Sequence, residues 1–551
     1  LYSSDSTIID SITFLEQRTN VSYGRNPNQN NWFFFSEPTP NQENTTLAFE
    51  GIINETAEFS IGGGFFNNSI KIFINNQIEG GIHYTTNGSI PDINSNILLD
   101  SLEITSTTII RSKIFKSGFI ESKTKTHTYF LNESFETRNL PVFSISSNPG
   151  YFWDQDTGIY VQDFKPKWEY PINIELFEKD GSLAFNQMAT IQIVGDLSWQ
   201  LPQKMLSISL EKNINYPLIS NFNRREYNSF NLRASGSDWS STLFRDGLAQ
   251  NLSFNDMDVD IQGFKPSIVF INGAYMGIHN IRQKLNDNYM SEKYHIESEY
   301  LDLIENHGEV VEGDDISYQE LFYHFENADF RNTYQYESIS QLIDIDNFID
   351  YLIIEIYVAN SSWGHNIALW KSKEFNNTKW RWFLTDLDRG FNTKNIDKDY
   401  IEFVSGDDNI SGDNPYFATL FLRKLFENKE FQQLFCSKLS DYLYITLHTK
   451  SVQDDIILFK EKIENEIAYH VDRWKNSSSS YGDGIASVSD WESQINKMMD
   501  FAEERDEYVR THLVNRFELN EPINLEIHVS EEGSGKILMN KLIIPDDNWD
   551  G

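Results

Sequence analysis

The chain has 551 residues, of which 39% are hydrophobic and 14% aromatic, so it is long and apolar enough to bury several cores. Its 82 acidic side chains outnumber 45 basic ones and give a formal charge of -37, which disfavours nucleic acid and anionic membranes as partners. The one cysteine, Cys436, excludes an internal disulfide and lies in a helical pattern typical of a buried thiol. No apolar run approaches the roughly eighteen residues of a membrane helix.

The first 42 residues predict short β-strands that are followed by an extended exit. Pro38 and Pro40 hold the backbone of the exit in an extended form, as a linker requires. Residues 21–32, taken with this exit, resemble the last strands of a lamin-tail-like β-sandwich. We therefore expect residues 1–42 to be the end of such a domain.

Residues 43–136 alternate apolar and polar side chains and contain frequent turns, which predicts an all-β sandwich. Asn87 and Gly88 suit a hairpin turn because both residues tolerate positive φ. Residues 82–92, which contain this turn, resemble the signature of the chitobiase C-terminal-like sandwich. That module is usually a spacer, and glycan binding is kept as an alternative.

Residues 138–519 begin with strands and continue with amphipathic helices, a pattern that predicts an α+β domain. Apolar side chains at spacings of three and four predict one helix over residues 455–474. Ser489 and Glu492 fit a capping box for the next helix. The serine- and glycine-rich residues 476–484 between these helices predict an exposed loop.

The tail, residues 520–551, contains two alternating segments around a glycine turn, at 523–529 and 535–544. It resembles the start of a further small β module. With a partial β module at each end, the chain is expected to be part of a longer modular protein whose flanking modules are missing here. The predicted fold class is therefore multidomain, with an α+β main domain and flanking all-β modules.

Two carboxylates one residue apart, Asp386 and Asp388, follow an aromatic-rich strand, and the loop that carries Asn366 lies about twenty residues upstream. In phosphoryl-transfer enzymes a strand-end Asp and a loop Asn hold the metal ions, and a nearby Asp orients the acceptor hydroxyl. Residues 360–391 resemble the core of the CotH family, the spore-coat-protein-like atypical kinases. Further islands of resemblance occur, in order, at residues 140–145, 157–161, 168–172, 175–178, 195–198, 202–204, 231–233, 237–239, 244–246, 272–277, 280–284 and 308–314.

The resemblance implies that residues 138–519 have an atypical-kinase-like fold that uses ATP and Mg²⁺ or Mn²⁺ to phosphorylate proteins. It assigns Lys204, expected on a strand, to the phosphates, and it brings the backbone from Gly195 to Ser198 close to them. Lys204 and Asp386 are then expected to face one cleft. The alternatives are a surface lysine and an ordinary hairpin turn.

The resemblance also assigns Asn366, Asp386 and Asp388 to a metal ion, with a strand-end turn as the alternative. Ser362 stands where relatives carry the catalytic Asp, which leaves Asp386 as the remaining catalytic carboxylate. A serine cannot act as a base at neutral pH without activation. Gln283 stands in the nucleotide-binding region where relatives usually carry Glu, so the shape is kept and the charge is lost.

Two basic residues typical of relatives are also replaced, by Val194 and Trp199. Two interpretations therefore stay open. One is a secreted or cell-surface kinase whose site is degenerate, with a protein as substrate. The other is a non-catalytic pseudokinase that serves as a scaffold or adhesin for a protein or cell-surface partner. We expect phosphoryl transfer to be weak or absent.

The acidic residues 405–414 are a candidate calcium site, although they lack the order of an EF-hand loop. A solvated loop is the alternative for the same segment.

Overall fold

The described chain forms short β-sheets at its amino-terminal side and a β-barrel followed by helices in its main domain. The computed structural model describes residues 4–8, 11–13, 17–27, 31–74, 79–132, 139–219, 226–406, 414–520, 523, 526–528, 535–540, 542–544 and 548–550. Most of the predicted calcium loop, residues 407–413, lies outside these ranges. So does most of the segment 134–140, where the sandwich is expected to join the main domain. Among the described residues, no helix is long and apolar enough to cross a bilayer.

The first sheet has three antiparallel strands, β1 (Ser22–Arg25), β2 (Trp32–Phe35) and β3 (Ala48–Phe49). Its third strand lies beyond residue 42, so residues from both sides of the predicted boundary share one sheet. The boundary itself stays a prediction.

The predicted sandwich consists of short strands in two layers around a small core. Ile72, Ile110 and Tyr129 from different strands are completely buried in that core. One layer is a five-stranded sheet in the order β5-β12-β10-β7-β8, and the pairs β6-β9 and β4-β11 complete the module. The strands are β4 (Gly51–Ile52), β5 (Gly64–Phe66), β6 (Ile70–Phe73), β7 (Gly81–Thr85), β8 (Asn96–Ile97), β9 (Ser101–Ile104), β10 (Thr108–Phe115), β11 (Phe119–Ile120) and β12 (Lys125–Leu131).

Seven strands of the main domain close into a barrel, in the order β13-β14-β15-β16-β17-β19-β18. Closure comes from the parallel pairing of β13 with β18, whereas the other neighbours are antiparallel. The strands are β13 (Val142–Ser146), β14 (Tyr170–Phe177), β15 (Leu183–Val194), β16 (Met205–Asn215), β17 (Glu226–Arg233), β18 (Lys265–Ile271) and β19 (Ala274–Arg282).

The second half of the main domain is mainly helical, as the sequence predicts. Its most deeply buried helix is Ile345–Val358. This half also contains a small sheet in the order β21-β20-β22-β23. Its strands are β20 (Leu301–Glu305), β21 (Glu309–Glu312), β22 (Ala368–Ser372) and β23 (Arg381–Phe383). The helices of the whole described chain are α1 (Pro149–Trp153), α2 (Arg245–Asn251), α3 (Asp287–Tyr294), α4 (Ile316–Asn327), α5 (Thr333–Ser340), α6 (Ile345–Val358), α7 (Tyr400–Ser405), α8 (Tyr416–Leu425), α9 (Lys429–Tyr444), α10 (Thr449–Ile463), α11 (Ile467–Trp474) and α12 (Val488–Phe517).

The described parts of the tail form two short antiparallel pairs, β24 with β27 and β25 with β26. The buried side chains of Leu542 and Ile544 belong to the core of the main domain. The strands are β24 (Glu526–His528), β25 (Leu538–Met539), β26 (Leu542–Ile543) and β27 (Asn548–Asp550).

Two local predictions in the helical half are wrong. The single helix predicted over residues 455–474 is divided into α10 and α11 at Glu466, whose buried carboxylate accepts a hydrogen bond from the Tyr275 hydroxyl on the barrel. The cap of α12 is Ser487 rather than Ser489, because the Ser487 Oγ accepts the amide proton of Asp490 at 3.1 Å.

The sandwich packs directly on the barrel through aromatic side chains. Phe130 of β12 lies 5.6 Å from Phe177 and 5.0 Å from Phe270, measured between ring centroids, and all three rings are buried. The signature turn of the sandwich also meets the barrel, because a Cβ added to Gly88 would lie 2.1 Å from the Asn272 Oδ1. We call this contact the seam.

A buried carboxyl group, Glu175 of β14, lies in the seam. The Thr128 amide donates to the Glu175 Oε1 at 3.4 Å, and the Asn186 side chain donates to the same oxygen at 3.1 Å. The Thr128 hydroxyl donates to the other carboxyl oxygen and lies 2.7 Å from the Ser144 hydroxyl. Burial raises the pKa of Glu175 to about 8, so its neutral form is the one that suits the seam.

Replacing Glu175 with Gln should make stability less dependent on pH between about 4.5 and 8. The folded-state pKa of Glu175 is raised, so its contribution to stability is present at low pH and is lost as pH rises towards 8. One such proton changes the free energy of unfolding by at most about 1.4 kcal/mol per pH unit. Urea denaturation at pH 5, 6, 7 and 8 measures the effect.

The matched control is Glu211→Gln, which changes an exposed carboxylate on the barrel strand β16. Its profile should follow that of the unmodified protein. Parallel profiles for Glu175→Gln and the unmodified protein would contradict a neutral Glu175.

Candidate functional site

The two predicted carboxylates lie in a turn that begins after β23 (Arg381–Phe383), as expected for strand-end residues. Asp386 adopts a left-handed backbone conformation, with φ of 55°. Its side chain is 36% exposed, whereas that of Asp388 is 5% exposed. We call residues 386–388 the acid turn.

Arg233, at the end of β17, contacts both carboxylates of the acid turn. Its Nη2 donates to the Asp388 Oδ2 at 2.8 Å and also donates to the Asp386 carboxylate. Burial alone would lower the pKa of Arg233, but the three carboxylates around it raise the pKa overall. The guanidinium therefore stays charged and holds the two carboxylates together.

A third carboxylate, Asp246 of α2, connects Arg233 to Arg282 on the neighbouring barrel strand β19. The Asp246 Oδ2 lies 3.7 Å from the Arg233 Nε and 2.9 Å from the Arg282 Nη2. Arg282 pairs with Asn231 in the β17–β19 ladder, two residues before Arg233, which explains why the guanidinium groups are neighbours. The amide of Leu387 in the acid turn donates to the Asp246 Oδ1 at 3.0 Å.

These groups surround a cavity of about 10 Å³, roughly the volume of one water molecule. Among the described residues, the buried Asn280 Oδ1 and Arg282 Nη1 at this cavity have no hydrogen-bond partner.

A turn of residues 236–240, which we call the glycine turn, completes the environment of Asp388. The Ser237 amide donates to the Asp388 Oδ2 at 2.8 Å. Gly236 has φ of 56°, and a Cβ there would lie 2.1 Å from the same oxygen, so no other residue fits. Burial, followed by the charge of Asp386, raises the pKa of Asp388 well above its usual range, although Arg233 and Ser237 act in the opposite direction.

Ser362 lies in a loop that follows α6 and is held by two asparagines. Its Oγ donates to the Asn360 Oδ1 at 3.1 Å, and the Asn366 side chain donates to the Ser362 Oγ at 3.3 Å. The Asn360 amide group in turn donates to the Glu355 Oε2 at 2.9 Å. The predicted catalytic and metal residues of this loop thus bind each other.

Glu355 is a buried carboxyl group that the sequence did not indicate. Burial raises its pKa to about 8, and the charges of Asp246 and Asp386 add to this increase. Its Oε1 has no hydrogen-bond partner among the described residues.

The predicted nucleotide-binding residues are held by local contacts. Lys204 immediately precedes β16 rather than lying on it, and its Nζ donates to the Trp199 carbonyl at 2.7 Å. Burial lowers the pKa of Lys204 to about 8. The Gln283 side chain accepts a hydrogen bond from the Gly263 amide at 3.0 Å.

Gly195 and Ser198 form a turn at the end of β15, directly before a short helix at Ser198–Gln200. Gly195 has φ of 99°, and a Cβ there would lie 2.3 Å from the Ser198 Oγ. This close approach is what an ordinary hairpin turn requires, and the phosphate-binding role stays a prediction.

The segments that carry these residues are neighbours, but their side chains do not all converge. The Trp239 Nε1 donates to the Gln203 Oε1 at 2.8 Å, which joins the Lys204 segment to the glycine turn. Within the described part of the chain, no hydrogen bond or ion pair joins Lys204, Gln283 or Asn366 to the acid turn.

The implied Mg²⁺ or Mn²⁺ can be tested against this donor set. Two carboxylates from the protein suit a metal that also binds nucleotide phosphates and water. No cluster of three His, Cys, Asp or Glu side chains with metal-binding geometry occurs in the described ranges. Asp386 and Asp388 therefore fit a shared metal site, on the condition that the ion competes with Arg233.

A β-barrel followed by a helical half, with an acid turn at their contact, defines a protein of the kinase-like class. Comparison with protein families agrees: residues 191–509, more than half of the chain, match the family described as CotH kinase protein. The chain belongs to this family. Residues 61–126 match the chitobiase/beta-hexosaminidase C-terminal domain. No curated protein matches the sequence.

Replacing Arg233 with Gln should destabilise the protein by about 3–5 kcal/mol, because it leaves buried carboxylates without a counter-charge. Urea denaturation measures the change. The control is Arg331→Gln, which removes a pair with Asp329 in which the arginine side chain is 75% exposed. That change should leave the stability almost unchanged, because exposed ion pairs contribute little. Equal losses in the two variants would show that Arg233 does not anchor the site.

Replacing Gly236 with Ala should lower stability by more than about 1 kcal/mol, because the new methyl group overlaps the Asp388 carboxylate in a strained backbone conformation. Thermal denaturation checks the change. Gly62→Ala is the matched control, since nothing lies within 4 Å of its Cβ position. A Gly236→Ala variant as stable as the Gly62→Ala variant would contradict the tight contact.

Proposed function

We propose that the protein binds a nucleotide–metal complex at the acid turn and transfers its γ-phosphoryl group to a protein hydroxyl only weakly or not at all. One observation carries the proposal: Arg233 already pairs with Asp386 and Asp388. The carboxylate expected at position 362 is replaced by Ser362. The acid turn keeps the donors for a metal but lacks a base at the usual place.

Each residue has a stated role in this proposal. Asp386 and Asp388 would hold a Mg²⁺ or Mn²⁺ ion, which would supply positive charge to neutralise the nucleotide phosphates. Asp386, the more exposed carboxylate, would be the first protein ligand, and Asp388 would follow when Arg233 moves aside. Lys204 is the nearest predicted cation for the phosphates, and it must leave the Trp199 carbonyl to reach them.

The loss of the catalytic Asp has a large expected cost. General-base catalysis is typically worth about 10²–10⁴-fold in rate. The missing basic residues at positions 194 and 199 remove further stabilisation of the transferred phosphoryl group. These losses support a degenerate site rather than an efficient kinase.

The second candidate function is a pseudokinase that serves as a scaffold or adhesin. The seam favours it, because it makes the sandwich and the barrel one packed surface for a protein or cell-surface partner. The glycan alternative stays open, since Gly88 packs against Asn272 while Thr86 and Asn87 of the same signature segment are exposed. We place either activity outside the cell or at its surface.

Thermal denaturation with MgATP and MnATP tests the binding proposal. We expect a rise in melting temperature that is lost in Asp386→Ala, because this change removes the exposed ligand. Ser362→Asp should raise phosphoryl transfer above that of the unmodified protein if the rest of the site is intact. Transfer is measured with γ-labelled ATP.

The control for loss of folding is Asp500→Ala, which changes an exposed carboxylate in the middle of α12. Its nucleotide response should equal that of the unmodified protein. Efficient transfer by the unmodified protein, abolished by Asp386→Ala, would show that the site is not degenerate.

A further inference from the structure

The loop between α11 and α12, residues 476–484, packs beside the acid turn although it is far away in the sequence. It is pre-shaped by its own hydrogen bonds. The Ser479 Oγ accepts the amide protons of Tyr481 and Gly482, each at 3.2 Å, and the Gly484 amide donates to the Ser477 carbonyl at 2.9 Å. A loop fixed in this way can present its side chains at defined positions.

Three contacts join this loop to the glycine turn and to the short helix after the predicted phosphate turn. The Tyr481 hydroxyl lies 2.7 Å from the Ser237 hydroxyl. The Ser240 Oγ donates to the Asp483 carbonyl at 2.6 Å. The Ser480 Oγ donates to the Gln200 Oε1 at 2.5 Å, in the short helix that follows the predicted phosphate turn.

Ser237 is where the loop meets the acid turn. Its amide donates to Asp388, while its hydroxyl contacts Tyr481 and accepts a hydrogen bond from the Arg389 Nε at 3.3 Å. Arg389 also interacts with the Tyr481 hydroxyl. Tyr481, Ser237 and Arg389 therefore form a cluster around the residue that holds Asp388.

Two glycines allow the loop to approach closely. A Cβ on Gly484 would lie 2.0 Å from the Trp474 carbonyl oxygen, and one on Gly482 would lie 2.8 Å from the Ser240 Oγ. The sequence indicated an exposed loop from the same glycines. The structure confirms the exposed loop and shows that its glycines also allow contact with α11 and with the glycine turn.

We propose that loop 476–484 is part of the metal and nucleotide site, with Tyr481 as a positioning residue that acts through Ser237. By fixing Ser237, Tyr481 keeps the amide of the glycine turn on Asp388 and holds that carboxylate in place. This proposal rests on the proposed function, because it assigns to the same acid turn a dependence on the loop. The affinity for a divalent cation would then depend on how Tyr481 is held in the loop between α11 and α12.

The test is a titration of the whole chain with Mn²⁺, with and without ATP, followed by electron paramagnetic resonance of the free ion. Tyr481→Phe keeps the ring and removes only the hydroxyl. It should weaken Mn²⁺ binding about two- to tenfold, the range that one net hydrogen bond supports. The control Tyr334→Phe, at an exposed tyrosine of α5, should bind as the unmodified protein does.

A double-mutant cycle separates positioning from a general loss of stability. If Tyr481 acts through Ser237, Ser237→Ala and the double variant should bind Mn²⁺ equally well, so the two effects are not additive. Additive effects, or unchanged affinity in Tyr481→Phe, would overturn the positioning role while leaving the proposed function intact. Absence of Mn²⁺ binding by the unmodified protein, with or without ATP, would overturn both proposals.

Discussion

The ion pairs of Arg233 connect three parts of the main domain that are distant in sequence. The guanidinium lies at the end of a barrel strand, its two closest carboxylates follow a strand of the helical half, and Asp246 belongs to a helix between them. Opposite charges in a poorly solvated place attract strongly, but only when every charge has a partner. The contact between the two halves of the main domain therefore depends on a balance of two arginines and three aspartates.

The same set of ion pairs limits how a metal ion can bind at the acid turn. A cation that binds the acid turn must replace Arg233 or share the carboxylates with it, and the released guanidinium then needs new partners. Nucleotide phosphates would supply them, since guanidinium groups bind phosphate oxygens well. The buried carboxyl of Glu355 adds to this arrangement, because nearby negative charge raises its pKa and favours the neutral form, whereas a cation bound at the acid turn would lower that pKa.

Much of the architecture could be predicted from the sequence. The alternation of apolar and polar residues predicted the sandwich, and apolar side chains at spacings of three and four predicted the helices. The order of the family motifs predicted the location of the acid turn. Closure of the barrel could not be predicted, because it depends on the parallel pairing of β13 with β18, which are distant in sequence. The break at Glu466 was missed because the apolar spacing continues through it. Arg233 and Glu355 were missed as site residues because their importance comes from partners more than a hundred residues away or from burial.

The seam has a mechanical consequence. A module joined only by a flexible linker moves freely, and tension on it stretches the linker first. Here the rings of Phe130, Phe177 and Phe270 and the buried Glu175 must separate before the sandwich can leave the barrel. Force applied at the amino-terminal side of the chain would therefore reach the barrel, and with it the strand that ends in Arg233.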